Sequence, residues 1–113
     1  MTFSQQFSTL YLQDPLNASN VSELRRSLCD AINNKQVSEI LVNLENVELI
    51  DSAAMVALVQ ATRLADSKGK YLGLCGANSQ VRMVLELTQL ERFVNMFADE
   101  SDFAARGYQL MAA

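Results

Sequence analysis

The chain has 113 residues, close to the commonest size of one domain, so we expect a single domain over residues 1–113. Half of the residues are apolar and 19% are charged, which excludes the composition of a disordered chain. The net charge is −4 and the longest basic run is Arg25-Arg26, so the concentrated positive face of a nucleic-acid-binding protein is not expected.

The chain lacks histidine and glycine-rich nucleotide-binding loops, on which many enzyme sites depend. Without histidine the chain cannot build a Ser-His-Asp triad, a Cys-His dyad or a histidine metal site. Its four glycines form no phosphate-cradling loop of the GxGxxG or GxxxxGK type. The longest apolar run, Ala53 to Val59, is far too short to span a membrane. We therefore predict a soluble, cytoplasmic protein with no catalytic activity, no cofactor, no metal, no membrane insertion, and two reduced cysteines, Cys29 and Cys75.

The first part of the chain carries a strand signal and then a helix signal. Phe7 to Leu12 is largely apolar and predicts a strand, which Asp14-Pro15 ends because proline lacks the ladder donor. Apolar positions recur at helical spacing from Val21 to Ile32. We expect a helix there, capped by Ser19 or Asn20.

A strand, a helix and a second strand follow. Ile40 to Leu44 and Tyr71 to Cys75 are short apolar runs typical of buried strands. Between them, Asp51-Ser52 is a helix start signal, and the helix continues to about Lys68 with Gly69 at its C-terminal end. This order predicts two parallel strands joined by a right-handed crossover.

The last third of the chain predicts two more helices and a strand. Ser79 is the expected cap of the first helix, a short strand lies between Leu90 and Phe97, and a final helix runs from Glu100 to about Leu110. The whole pattern predicts an α/β domain with about four helices packed on a mixed sheet that contains the parallel βαβ unit.

Three stretches of the chain resemble the STAS domain family. Leu41 to Ser52 is similar to the family's apolar strand, turn and Asp-Ser pair at the start of the second helix. Ala65 to Leu74 places Gly69 between a helix and a strand, as the family does. Val81 to Leu90 resembles the family's VRRVLELTGL segment, with Gln89 where a glycine is usual. The stretches follow the family order over almost the whole chain.

The resemblance implies four helices around a mixed sheet and a role as an anti-sigma factor antagonist. Such proteins bind an anti-sigma factor that is also a serine kinase. Phosphorylation of the serine in the Asp-Ser motif breaks that contact, and a phosphoserine phosphatase is the second implied partner. In this chain Ser52 matches the phosphorylated serine, and Ala53-Ala54 follow it where the family often has Ser-Gly. Asn17 stands where the family commonly has an aspartate near the phosphosite. We expect partner contacts around the motif, at Asn17, Asp51, Ser52, Ala53, Met55 and Val56.

Simpler explanations exist for the same residues. Any helix N-cap favours Asp or Ser, and apolar residues such as Met55 and Val56 are ordinary core residues. However, a seven-residue apolar run covers the full circumference of a helix, so part of it must meet a neighbour, a partner or solvent. Two other functions remain open. The first is a STAS subunit that docks on the ATPase of a bacterial phospholipid ABC transporter. The second is a small enzyme with a serine or cysteine nucleophile, which the lack of histidine disfavours.

Overall fold

A computed structural model describes residues 7–13 and 16–112, with side chains described as far as Arg106. In this part of the chain, strands and α-helices alternate, and a 3₁₀ turn precedes the last strand. The elements are β1 (Phe7–Gln13), α1 (Val21–Ile32), β2 (Glu39–Asn46), α2 (Ser52–Ser67), β3 (Tyr71–Cys75), α3 (Ser79–Leu87), the 3₁₀ turn (Leu90–Phe93), β4 (Met96–Phe97) and α4 (Glu100–Ala112).

The four strands form one sheet in the order β1-β2-β3-β4, and each neighbouring pair is parallel. β2 and β3 pair from Glu39 opposite Tyr71 to Asn43 opposite Cys75, so the predicted parallel βαβ unit is confirmed. The predicted α/β class is confirmed, and every strand pair among the described residues is parallel, so the antiparallel pairing of the predicted mixed sheet is not found among them. Consecutive parallel strands each need a crossover, and the intervening helices supply it.

One face of the sheet packs against α1, α2 and α3. Strand residues alternate between the two faces, so Ile40, Val42, Leu44, Leu72 and Leu74 all point to this side. They join the buried helix residues Leu24, Leu28, Ile32, Met55, Leu58, Val81 and Leu85 in one aliphatic cluster. α2 lies in the middle of this layer, because it contacts α1 and also the 3₁₀ turn that follows α3.

The other face of the sheet packs against α4 through aromatic rings. The centroid of the buried Phe103 ring lies 5.2 Å from that of Phe7 and 5.1 Å from that of Phe97, both edge-on, and 6.1 Å from that of Tyr71. Gly73 lies directly beneath, and a Cβ atom there would approach the Phe103 ring to 2.7 Å. Only a glycine therefore lets α4 approach the sheet this closely.

Polar contacts hold both halves of α4 against the same face. Glu100 accepts hydrogen bonds from the Tyr11 hydroxyl at 2.9 Å and from the Asn43 amide at 3.3 Å. Arg106 forms an ion pair with Glu39 at 2.8 Å. The buried amide of Asn43 is thereby satisfied, since its oxygen also accepts a hydrogen bond from a backbone N–H.

Several element ends differ from their predicted positions. α3 is capped by Asn78, whose side chain accepts a hydrogen bond from the N–H of Val81, and Ser79 is its first helical residue. Asn20, one of the two predicted caps of α1, is its N-cap residue, although its side chain makes no capping hydrogen bond. Asp14-Pro15, predicted to end β1, lie outside the described residues. In residues 7–13 and 16–112, no helix is long and apolar enough to cross a membrane.

Candidate functional site

Ser52 is the first residue of α2, and its side chain is exposed. Its hydroxyl makes no hydrogen bond to any residue that the structure describes. The capping role belongs instead to Asp51, whose extended backbone and side-chain oxygen bonded to the N–H of Ala54 are those of an N-cap. The cap explanation therefore accounts for Asp51 and leaves Ser52 without a structural role.

Asp51 also fixes the turn that follows β1. Its second carboxylate oxygen accepts a hydrogen bond from the N–H of Ala18 at 2.9 Å, and its own N–H donates to the carbonyl of Leu16 at 3.2 Å. Leu16 in turn forms an isolated parallel bridge with Ile50. The turn at residues 16–20 is thereby held beside the N-terminus of α2.

Asn17 lies in this turn, next to Ala18, and is half-buried. Its side-chain oxygen accepts hydrogen bonds from the N–H and the hydroxyl of Ser19. The amide is used to stabilise the turn itself, as Asn side chains commonly do. Asn17 therefore lies near Asp51, because the next residue, Ala18, is bonded to Asp51. The side-chain oxygen of Asn17 is bonded within the turn.

Met55 and Val56 have opposite environments. Met55 is fully buried, with its sulfur 3.5 Å from the Thr88 hydroxyl, so the expectation that its side chain contacts a partner does not fit this structure. Neighbouring elements cover this side of α2, which the apolar run alone could not show. Val56 is 39% exposed and lies one turn beyond Ser52 on the same helix face. Ala53 is half-buried between these two positions.

Leu49 is an exposed apolar residue beside the site that the sequence reasoning missed. It is 62% exposed and lies three residues before Ser52. A signal for it existed: side chains of adjacent residues in an extended segment point to opposite sides, so Leu49 and the buried Ile50 could not both face the core. We call Ala18, Leu49, Ser52 and Val56 the Ser52 surface.

The Ser52 surface offers an exposed hydroxyl at the N-terminus of a helix. A hydroxyl at the first position of a helix meets free backbone N–H groups and the positive end of the helix dipole, both of which favour an added anion. Elsewhere, burial raises the pKa of the Cys75 thiol to about 11, which keeps it protonated and unreactive near neutral pH. Among the described residues, no group of three or more His, Cys, Asp or Glu is placed to hold a metal ion.

Comparisons with known proteins identify the family of the chain. Residues 1–103 match the family model of the STAS domain. A protein of Thermotoga maritima, provisionally named an anti-sigma factor antagonist, is 32% identical over 82 residues, which cover 73% of each chain. The crystal structure of a protein of the same provisional name from that organism has a TM-score of 0.75 at 28% identity, over 87% of this chain and 86% of that one.

More distant structures share the fold. The unphosphorylated anti-sigma factor antagonist SpoIIAA has a TM-score of 0.73 at 19% identity, over 95% of this chain and 94% of its own. A sulfate transporter family protein from Wolinella succinogenes has a TM-score of 0.77 at 18% identity, over 95% and 88%. At identities below 20% the likeness shows the architecture only. The family model and the Thermotoga relative match the sequence of the chain as well. The chain belongs to the STAS domain family.

Proposed function

We propose that this protein is an anti-sigma factor antagonist that acts in the cytoplasm and is controlled by phosphorylation of Ser52. Its partner is an anti-sigma factor that is also the serine kinase, and a phosphoserine phosphatase reverses the modification. The observation that carries the proposal is the exposed hydroxyl of Ser52, which has no bonding partner among the described residues. In the chain it stands between Leu49 and Val56, whose side chains are exposed. The relatives named as anti-sigma factor antagonists support the same function.

The physics of the switch is local. Phosphorylation adds about −1.5 to −2 charges at neutral pH, together with a strongly hydrated group. A partner docked over Leu49 and Val56 would have to desolvate that group beside the Asp51 carboxylate. The free protein tolerates the same charge, because the N-terminus of α2 favours an anion. Phosphorylation should therefore weaken the complex while the fold is kept. One solved relative is a phosphorylated form of SpoIIAA, with a TM-score of 0.66.

The test uses Ser52→Ala and Ser52→Asp after the partner has been captured from a native extract. We expect Ser52→Ala to bind as wild type does and to resist the kinase. Ser52→Asp should stay folded and bind about a hundredfold more weakly, equivalent to about 3 kcal/mol, measured by calorimetry with thermal melts alongside. Ser101→Asp is the matched control, because Ser101 is an exposed serine in the first turn of α4, away from the Ser52 surface.

Two results would argue against the switch. One is Ser52→Asp binding the kinase as tightly as wild type does. The other is a purified kinase that leaves Ser52 unmodified. Capture of an ABC transporter ATPase in place of a kinase would favour the second candidate, a STAS subunit of a phospholipid transporter. The same fold occurs in a sulfate transporter family protein, at 18% identity.

A further inference from the structure

α3 presents an apolar pair to solvent. Met83 is 55% exposed and Leu87 is 77% exposed, the largest exposed fraction among the large apolar residues of the described chain. The two are four residues apart and therefore adjacent on one helix face. Val81 and Leu85, on the opposite side of the helix, are the residues that pack into the core. α3 is thus apolar on both its inner and its outer face.

A charged pair flanks the apolar pair. Arg82 and Glu86 each precede one of the two exposed apolar residues, so both lie about 100° around the helix from them, on the same side. Neither forms an ion pair with another residue in the described part of the chain, where Arg106–Glu39 is the ion pair found. Both side chains are exposed. Their charges are therefore available to a molecule that docks on the apolar pair.

We propose that this outer face of α3 binds the same face of a second copy of the chain, with the two helices antiparallel about a two-fold axis. An axis that passes beside α3 at the level between residues 84 and 85 places Met83 of one copy within about one helical rise, ~1.5 Å, of the level of Leu87 in the other. The same axis places Arg82 within about one helical rise, ~1.5 Å, of the level of Glu86 in the second copy. The axis is perpendicular to the plane of the two helices, so the charged sides of both helices lie on the same side of that plane. Arg82 of each copy then pairs with Glu86 of the other.

The positions of Arg82 and Glu86 indicate that the molecule bound to this face is a second copy of the chain. A face with one cation and one anion flanking two apolar residues is complementary to its own antiparallel image, as isologous interfaces require. Flanking charges of this kind select partner and orientation in paired helices. The contact rests on one short helix, so it is smaller than the usual ~800 Å² per partner, and the dimer should be weak. The inference does not depend on the function proposed for Ser52.

Charge reversal tests the pairing. Sedimentation equilibrium from about 10 μM to about 1 mM, a range that covers weak complexes, should show a dimer for the wild type. Arg82→Glu or Glu86→Arg alone places like charges opposite each other, and each should weaken the dimer at least about tenfold. The double variant Arg82→Glu/Glu86→Arg restores the complementarity and should return to within about threefold of wild type. Arg26→Glu, the same charge change at an exposed position on α1, should leave the association unchanged.

Leu87→Glu supplies the second arm of the test, and it should abolish the dimer without lowering the melting temperature, because its side chain is mostly exposed. Three outcomes would overturn the proposal. They are a wild type that stays monomeric at about 1 mM, a double variant that does not recover association, and a dimer that survives Leu87→Glu. A monomeric wild type whose captured protein partner is lost on Leu87→Glu would assign this face to that partner instead.

Discussion

The two faces of the sheet are stabilised in different ways. The face under α1, α2 and α3 is a broad aliphatic cluster in which each side chain is one of many. The face under α4 is a small aromatic cluster arranged around a single ring, that of Phe103. The Ser52 surface belongs to the first layer, and the residues that hold α4 lie on the second. Stability and the proposed binding should therefore be separable by mutation.

The aromatic face should give the largest stability effect from one residue. Phe103→Ala removes the ring that is 1% exposed and contacts three other rings, so it should lower the free energy of unfolding by about 3–5 kcal/mol. Urea denaturation followed by circular dichroism measures the change.

Phe93→Ala is the matched control for that measurement. Phe93 is 43% exposed and contacts the Arg63 guanidinium at 5.4 Å from the ring centroid, so its loss should cost less than about 1 kcal/mol. Equal losses for the two variants would show that α4 is not anchored by its buried ring, and the contrast between the two faces would fail.

Gly73→Ala should have the next largest effect. The added Cβ would lie 2.7 Å from the Phe103 ring and 2.9 Å from the Phe97 ring, so α4 must shift outward at a cost of about 1–3 kcal/mol. In a Phe103→Ala background the closer of the two rings is gone and the Phe97 ring is free to move into the space, so the cost of Gly73→Ala should be smaller. A double-mutant cycle by denaturation measures the coupling, and simple additivity would mean that the clash is relieved elsewhere.

The two cysteines should differ in their rate of chemical modification, a test that leaves the stability of the fold unchanged. Cys75 is fully buried on the aromatic face and Cys29 is exposed on α1, so iodoacetamide at pH 8 should modify Cys75 at least about a hundredfold more slowly. Mass spectrometry of tryptic peptides gives both rates. Comparable rates would show that α4 opens readily.

The Cys75 thiol also predicts a pH dependence of stability. Burial raises its pKa to about 11 from the ordinary 9.0, so above about pH 9 the unfolded chain loses this proton before the folded one does. The contribution is fully present below pH 9 and is lost as the pH rises towards 11. Denaturation of Cys75→Ala across this range should lack that part of the slope, and an identical slope in both proteins would contradict the assignment.

Local pattern was enough to predict the βαβ unit, because its strands, helix start and terminal glycine lie within one continuous stretch. Gly69 has the left-handed backbone, φ 71°, that the helix end was expected to need. Gln89 has the same left-handed sign, φ 61°, at the position where the family usually has glycine. The right-handed sense of the crossover stays a prediction.

The aromatic cluster and the burial of Met55 depend on tertiary packing, which the sequence pattern does not predict. The aromatic cluster unites Phe7, Tyr71, Phe97 and Phe103, which are too far apart in sequence for periodicity to connect them. The burial of Met55 likewise depends on α3 and the turn after it covering one side of α2. Phosphorylation of Ser52 and contact at its surface stay predictions, since both concern a second protein.

Between residues 52 and 63 of α2, only Ser52, Val56, Gln60 and Arg63 are exposed, and this narrow stripe limits which substitutions can change the binding specificity of the helix. A cell with several such domains must keep each from the others' partners, which is achieved by differences in contact residues. Under the proposed function Ser52 is the phosphorylated residue, and most other residues of that stretch are buried. Substitutions that redirect specificity are therefore confined to about three positions on this helix and to Leu49 beside it, a set small enough for exhaustive mutagenesis in the design of insulated signalling pairs.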